Sequence, residues 1–214
     1  MKWKLFVPVF VFGTLLLGAG CSYTQDIKSE EEITGSIKPV DNEVERVELT
    51  SEFHNELGKT NATPSVKRLL KEYPYLINPF KDIPLEEQGI IAVPEQSQIP
   101  FEFKEVKIEY NPYKPNNIDV VYKGGDKLIT VSVWEWDKPL SDTGEEIQLN
   151  RGVTGMLYDN NKSLSIHWKY SSDKSALTYG VSLLTINLDM SLKKNEFSRE
   201  NAINVANSII DNYR

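Results

Sequence analysis

Ser163-Leu164-Ser165-Ile166-His167-Trp168-Lys169-Tyr170 alternates polar and apolar side chains without a break. Successive side chains of a β-strand point to opposite faces. The octet therefore predicts a half-buried strand with Leu164, Ile166, Trp168 and Tyr170 toward a core and Ser163, Ser165, His167 and Lys169 away from it. Downstream, Leu177, Tyr179, Val181 and Leu183 repeat the alternation. Upstream, Asp159-Asn160-Asn161 marks a turn, and Val153 to Tyr158 and Glu146 to Asn150 read as shorter strands. Leu128 to Trp136 is apolar on both faces, and Gly124-Gly125 before it supplies the positive φ angles of a tight hairpin turn after Ile118, Val120 and Tyr122. Phe101 and Phe103 hold one phase, Val106, Ile108 and Tyr110 the other, which predicts a bulge near Lys104-Glu105. Strands joined in sequence by short turns pair as an antiparallel meander.

Helical patterns flank the strands. Ser198 can cap a final helix whose Ala202, Ile203, Ala206, Ile209, Ile210 and Tyr213 share one face, and that stripe must bury against the sheet. At the other end, Asn42 with Glu45 resembles a capping box, with Leu49, Phe53 and Leu57 recurring before Gly58. A second helix follows: Thr63 caps, Pro64 takes the first helical position, and Val66, Leu69, Leu70 and Tyr73 form its apolar face up to Pro74. Pro74, Pro79, Pro84, Pro94 and Pro100 then predict an irregular or extended course with at most a short strand at Ile90 to Val93. The fold class expected is α+β: a curved antiparallel sheet of about six or seven strands in a meander, with N-terminal helices and a C-terminal amphipathic helix packed on it.

The N-terminus tells where such a domain would live. Lys2 and Lys4, an apolar run from Leu5 to Leu17, and the small residues Gly18, Ala19 and Gly20 make the three-part pattern of a secretory signal peptide. The run is short for a membrane span, which needs about 20 apolar residues. It ends at Cys21, the only cysteine of the chain. Leu17-Gly18-Ala19-Gly20-Cys21 resembles a bacterial lipobox, although the leucine lies one step earlier than that pattern prefers. The resemblance implies a Cys21 that carries diacylglycerol and palmitate and becomes the new N-terminus. Residues 1–20 are thus read as a lipoprotein signal peptide, 21–41 as an acidic flexible tether, 42–100 as a helical and Pro-rich part, and 101–214 as the sheet with its final helix. The location expected is the cell membrane, lipid-anchored on its extracytoplasmic face.

Composition narrows the function by exclusion. The chain carries a net charge of −7 over 214 residues. That argues against nucleic acid or anionic lipid as a partner held by bulk electrostatics. One cysteine rules out an intrachain disulfide framework, and two histidines leave little for a histidine-built metal centre. No nucleophile motif or phosphate-binding glycine loop is present. His54 and Glu56, two apart, point different ways on a helix, and His167 reads as an exposed strand residue. Asp137, Asp142, Glu145 and Glu146 flank a loop with calcium-type oxygen ligands, but their spacing matches no known calcium loop. Glu102, Glu109 and Glu135 fall on strands, where paired glycosidase acids can sit. The expectation is no catalytic residue, no metal and no cofactor.

The aromatic residues carry the remaining signal. Trp134 and Trp136 share a face with Leu128, Thr130 and Ser132, while Trp168 and Tyr170 pair on a neighbouring strand. These four either line a groove for an acyl chain, sugar or peptide, or fill the core between sheet and helix. From Gly152-Val153-Thr154-Gly155 and Tyr158, through the strand with Trp168 and the strand with Tyr179, to the helix with Ala202, Ala206 and Ser208, the order resembles an uncharacterised extracytoplasmic domain family. That family of unknown function occurs in Gram-positive lipoproteins and in sigma-factor regulators, with no assigned activity. The resemblance implies a non-enzymatic binding or sensing module of the cell envelope; the chain is further expected to be monomeric, with a possible envelope protein as partner. A carrier of a lipid or other hydrophobic ligand is the alternative, and an envelope hydrolase the third.

Overall fold

The computed structural model describes residues 51–113, 117–136, 138–141, 143–172 and 175–213. Seven antiparallel strands form one open sheet: β1 (Glu105–Tyr110), β2 (Ile118–Gly124), β3 (Lys127–Glu135), β4 (Glu145–Gln148), β5 (Thr154–Asp159), β6 (Ser163–Ser172) and β7 (Ser175–Thr185). Their order is β1-β2-β3-β7-β6-β5-β4. Two meanders are therefore joined: β1 to β3 runs one way across the sheet, the chain crosses to the far edge, and β4 to β7 returns until β7 pairs with β3. This is the expected α+β sheet, with one crossover that sequence order did not announce.

The register explains why the pattern of period two was so clean. Ile108, Val120, Val131, Val181, Ile166 and Leu157 stand opposite one another in succession across six strands. All six are buried. A slip of one residue on any strand would expose its whole apolar set, so this row pins the pairing. Lys107, Val121, Thr130, Ser182, Ser165 and Tyr158 make the adjacent row on the opposite face, and none of them is fully buried.

Helices cover the apolar face. Helix α1 includes residues 51–58 and is followed by α2 (Pro64–Glu72), α3 (Ile77–Lys81) and α4 (Leu85–Gln88), while α5 (Arg199–Asp211) packs on β6 and β7. Thr63 caps α2, its hydroxyl accepting from the Val66 N–H and donating to the Ile91 carbonyl at 2.7 Å. Ser198 and Asn201 form a reciprocal capping box at the start of α5, which buries Ala202, Val205, Ala206, Ile209 and Ile210. Leu57, Val66, Leu70 and Phe80 belong to the same core as the sheet row, so the helical part and the sheet part are one packed unit. The expected cap at Asn42 lies outside the described residues.

Two local expectations are corrected, the first in part. From Pro74 to Gln88 the proline-rich stretch is a chain of short helical turns instead of an irregular or extended course, whereas residues 91–95 are irregular as expected, with no strand at Ile90 to Val93. Pro74 opens a 3₁₀ turn, Pro79 lies in the first turn of α3 and Pro84 sits at the N-cap of α4. A missing N–H costs nothing at those positions. Residues 91–93 are held by side chains at the start of α2, the Thr63 hydroxyl donating to the Ile91 carbonyl and the Ser65 hydroxyl accepting from the Val93 N–H, while the buried Gln88 amide fixes the turn before them by donating to the Ile83 carbonyl and accepting from the Asn61 N–H.

The expected bulge at Lys104-Glu105 is present: the Lys104 N–H donates to the Lys123 carbonyl at 2.9 Å although Lys123 is the partner of Glu105, so two residues here oppose one of β2. Phe101 to Phe103 precede the ladder and cross over Gly124, where a Cβ would collide with the Glu102 carbonyl and lie 2.9 Å from the Phe103 Cα. Phe103 then meets Tyr122 edge to face, and the extra residue accounts for the change of phase. Gly124 is consequently the last residue of β2 rather than part of the turn. Only Gly125 of the pair has a positive φ, +60°, opening the two-residue Gly125-Asp126 hairpin.

Candidate functional site

The sheet separates the four aromatic residues that sequence had grouped. Strand β7 lies between β3 and β6, with Trp168 opposite Tyr179 and Tyr179 opposite Val133. Trp168 therefore faces the helices. Its ring is 3% exposed and stacks on Tyr179, 5.8 Å between centroids and 12° between planes. Tyr170 shares that side and packs 4.5 Å from the Tyr213 ring beyond the end of α5. A cavity of about 210 Å³ remains among Trp168, Tyr170, Tyr179, Tyr213, Ile209 and Arg151. Arg151, at φ +58°, donates to the Asp211 carboxylate and carbonyl, tying this loop to the last turn of α5.

Trp134 stands opposite Thr178, and Thr178 opposite Lys169, so Trp134 faces away from the helices. There it meets His167 and not Trp168. Gly180 makes the meeting possible, because any side chain at that position would come within 3.0 Å of both the indole and the imidazole. The Trp134 and His167 rings lie 5.3 Å apart at 83°, and Tyr158 closes the other side of the imidazole at 5.0 Å. His167 is thus half-buried between rings, correcting the expectation of an exposed strand histidine. Burial lowers its pKa below the ordinary 6.5, favouring the neutral imidazole.

The connection from β3 to β4 completes the site. The Tyr158 hydroxyl donates to the Ser141 carbonyl at 3.0 Å, and Gly144 leaves room for the Tyr158 ring. Pro139, Leu140 and Ser141 then face Trp134 and Trp136 across a cleft of about 420 Å³ floored by His167 and Tyr158. The Lys138 ammonium lies 5.6 Å from the Trp136 ring, and that indole is 43% exposed. Apolar walls with one cation at the rim fit an apolar group ending in a polar or anionic head. Tyr158 and the residues at 138–141 escaped sequence reading. The available signal was Gly180, a lone glycine in an otherwise alternating strand, which marks a close approach.

The remaining candidates are scattered. Glu145 accepts from both terminal nitrogens of Arg199, at 2.6 and 2.7 Å, which lowers its carboxyl pKa and commits it to holding α5. Glu146 is exposed on β4, while Asp137, Asp142 and Cys21 lie outside the described residues. Glu56 bonds Lys59 and Lys81, and these bonds hold its carboxyl at about 2. Glu109 stands opposite Asp119, far in the sheet from Glu135, which is opposite Leu177. Among the described residues no group of three His, Cys, Asp or Glu is placed to hold a metal ion. Comparison with family models, curated proteins and solved structures finds no match to this chain.

Proposed function

We propose that the chain is a membrane-anchored extracytoplasmic lipoprotein whose domain is a non-enzymatic binding or sensing module of the cell envelope. Its ligand is an apolar chain with a polar or anionic end, taken into the cleft of Trp134, Trp136, Tyr158 and His167. The observation that carries this reading is the cleft itself: about 420 Å³ of mainly apolar space on the sheet face opposite the helices. Ligand sites commonly occupy about 300–1,000 Å³. The anchor rests on Cys21 at the end of the apolar run, and the described residues contain no helix long and apolar enough to cross a membrane. The resemblance of Gly152 to Ile210 to an uncharacterised extracytoplasmic domain family supports the same reading.

Binding is preferred to catalysis because His167 is hemmed between two rings, a setting suited to an apolar wall more than to proton transfer. It is preferred to carriage because the cleft is open to solvent along the sheet face and so leaves a chain unenclosed, while the more enclosed cavity under α5 is only about 210 Å³. The test is a titration of the protein with dansyl-labelled undecanoic acid, read by energy transfer from tryptophan. Dansyl-glycine controls for the fluorophore. The undecanoyl probe should bind, and Trp136→Ala should weaken it about tenfold, the equivalent of about 1.4 kcal/mol. Equal affinity for both probes, or loss on Tyr170→Ala instead, would move the site or remove it.

A further inference from the structure

Leu188, Met190 and Leu192 are respectively fully, 52% and 41% exposed, and no other stretch of five among the described residues holds three such side chains. They crown the connection from β7 to α5. The turn beneath them is firmly built: Ile186 bridges Leu192, the Asn187 N–H donates to the Ser191 carbonyl, and the Asp189 carboxylate accepts from the Ser191 N–H and hydroxyl. Met190 holds φ +64°, a conformation that glycine or asparagine adopts at less cost. Rigid backbone thus presents apolar side chains outward at a position where a small residue would relieve strain.

The surroundings say what meets them. Lys123 reaches back so that its ammonium lies 3.6 Å from the Met190 sulfur, and Lys193 pairs with Asp126 on the adjoining β2–β3 turn. Apolar tips in front with ammonium groups just behind is the order of a membrane interface, where lysine stems lie along apolar surface and their heads stay in water. The patch is too small for a protein partner, since a stable interface buries about 800 Å² on each side. It suffices as a second, weak contact for a chain already tethered. The stretch 21–41 read as an acidic tether is 21 residues and spans at most roughly 70 Å, so the tether alone fixes no orientation.

We infer that the Leu188–Met190 turn dips into the bilayer that carries the chain and so sets which side of the domain faces the lipid. This rests on the membrane-anchored reading. It is tested apart from Cys21 acylation by using the full chain with Cys21→Ser, which removes the only native cysteine. A single cysteine is placed at 188, 190 or 113 and carries an environment-sensitive nitrobenzoxadiazole label. Tyr113 is 92% exposed and lies in the β1–β2 connection, at the opposite end of the strands. Protein is mixed with vesicles of phosphatidylethanolamine and phosphatidylglycerol containing doxyl-labelled lipid. Labels at 188 and 190 should shift to the blue and lose several-fold of their emission to the quencher, while that at 113 stays unchanged. Unshifted labels at 188 and 190, equal quenching at all three, or a blue shift at 188 without vesicles, as a second copy would cause, each overturn the inference. Palmitate labelling of the wild type reads the Cys21 anchor separately.

Discussion

His167 and Trp168 are neighbours in sequence with opposite duties, and their substitution should show it. Trp168 is buried against Tyr179, so Trp168→Ala should destabilise by about 3–5 kcal/mol, the usual cost of deleting a large buried aromatic. Urea midpoints with unchanged slope measure it. His167 acts through pH. Its folded pKa is depressed below 6.5 by burial, so the unfolded chain binds the proton more readily. The stability that comes from keeping the imidazole neutral is fully present above pH 6.5 and is lost as pH falls from there through the folded value. His167→Phe should flatten that part of the stability–pH curve, whereas a curve parallel to wild type would show that the histidine is solvated. Glu56 has the opposite kind of group and the same sign: depressed to about 2 by Lys59 and Lys81, it contributes above about 4.5 and fails only in stronger acid. The two contributions are therefore separable by pH.

Among the elements, glycine positions discriminate best between conformational freedom and lack of space. Gly124→Ala forces the Phe101–Phe103 crossing away from β2 and should lower thermal stability markedly, by roughly the 1–3 kcal/mol typical of overpacking. Gly58→Ala, exposed in α1 with nothing within 4 Å, should gain about 0.4–1 kcal/mol. Calorimetry on the pair checks both signs. The same comparison shows what sequence could and could not reveal. Alternation located β1, β2, β6 and β7 because each buries one face, and caps at Thr63 and Ser198 marked helix starts because their hydroxyls satisfy orphan N–H groups. The insertion of β7 between β3 and β6 left no local trace, since adjacency of distant strands is decided by the whole core. That one fact separates Trp134 from Trp168. The first half of the proline-rich stretch, from Pro74 to Gln88, was misjudged because a proline at a helix start and a proline in a loop look alike without the neighbouring turn.

At the scale of the molecule the sheet has two sides with different work. One side buries Ile108, Val120, Val131, Val181 and Ile166 under α1 to α5. The other presents small side chains such as Thr130, Ser132, Ser165 and Ser182 and, at one end, the cleft. Attachment is a separate property: Cys21→Ala should release or misprocess the chain without changing its fold, read by loss of palmitate incorporation and an unaltered near-ultraviolet circular dichroism spectrum. An unlabelled wild type would refute the lipid anchor and leave the cleft argument standing. The division of the two faces is tested most directly by measuring urea stability and dansyl-undecanoic acid affinity side by side in Trp136→Ala and Trp168→Ala. The account predicts a crossed result: Trp136→Ala keeps its stability within about 0.5 kcal/mol and loses the probe, while Trp168→Ala loses stability and, wherever still folded, binds it as wild type does. Lost affinity in folded Trp168→Ala with full binding by Trp136→Ala would contradict it and place the ligand under the helices.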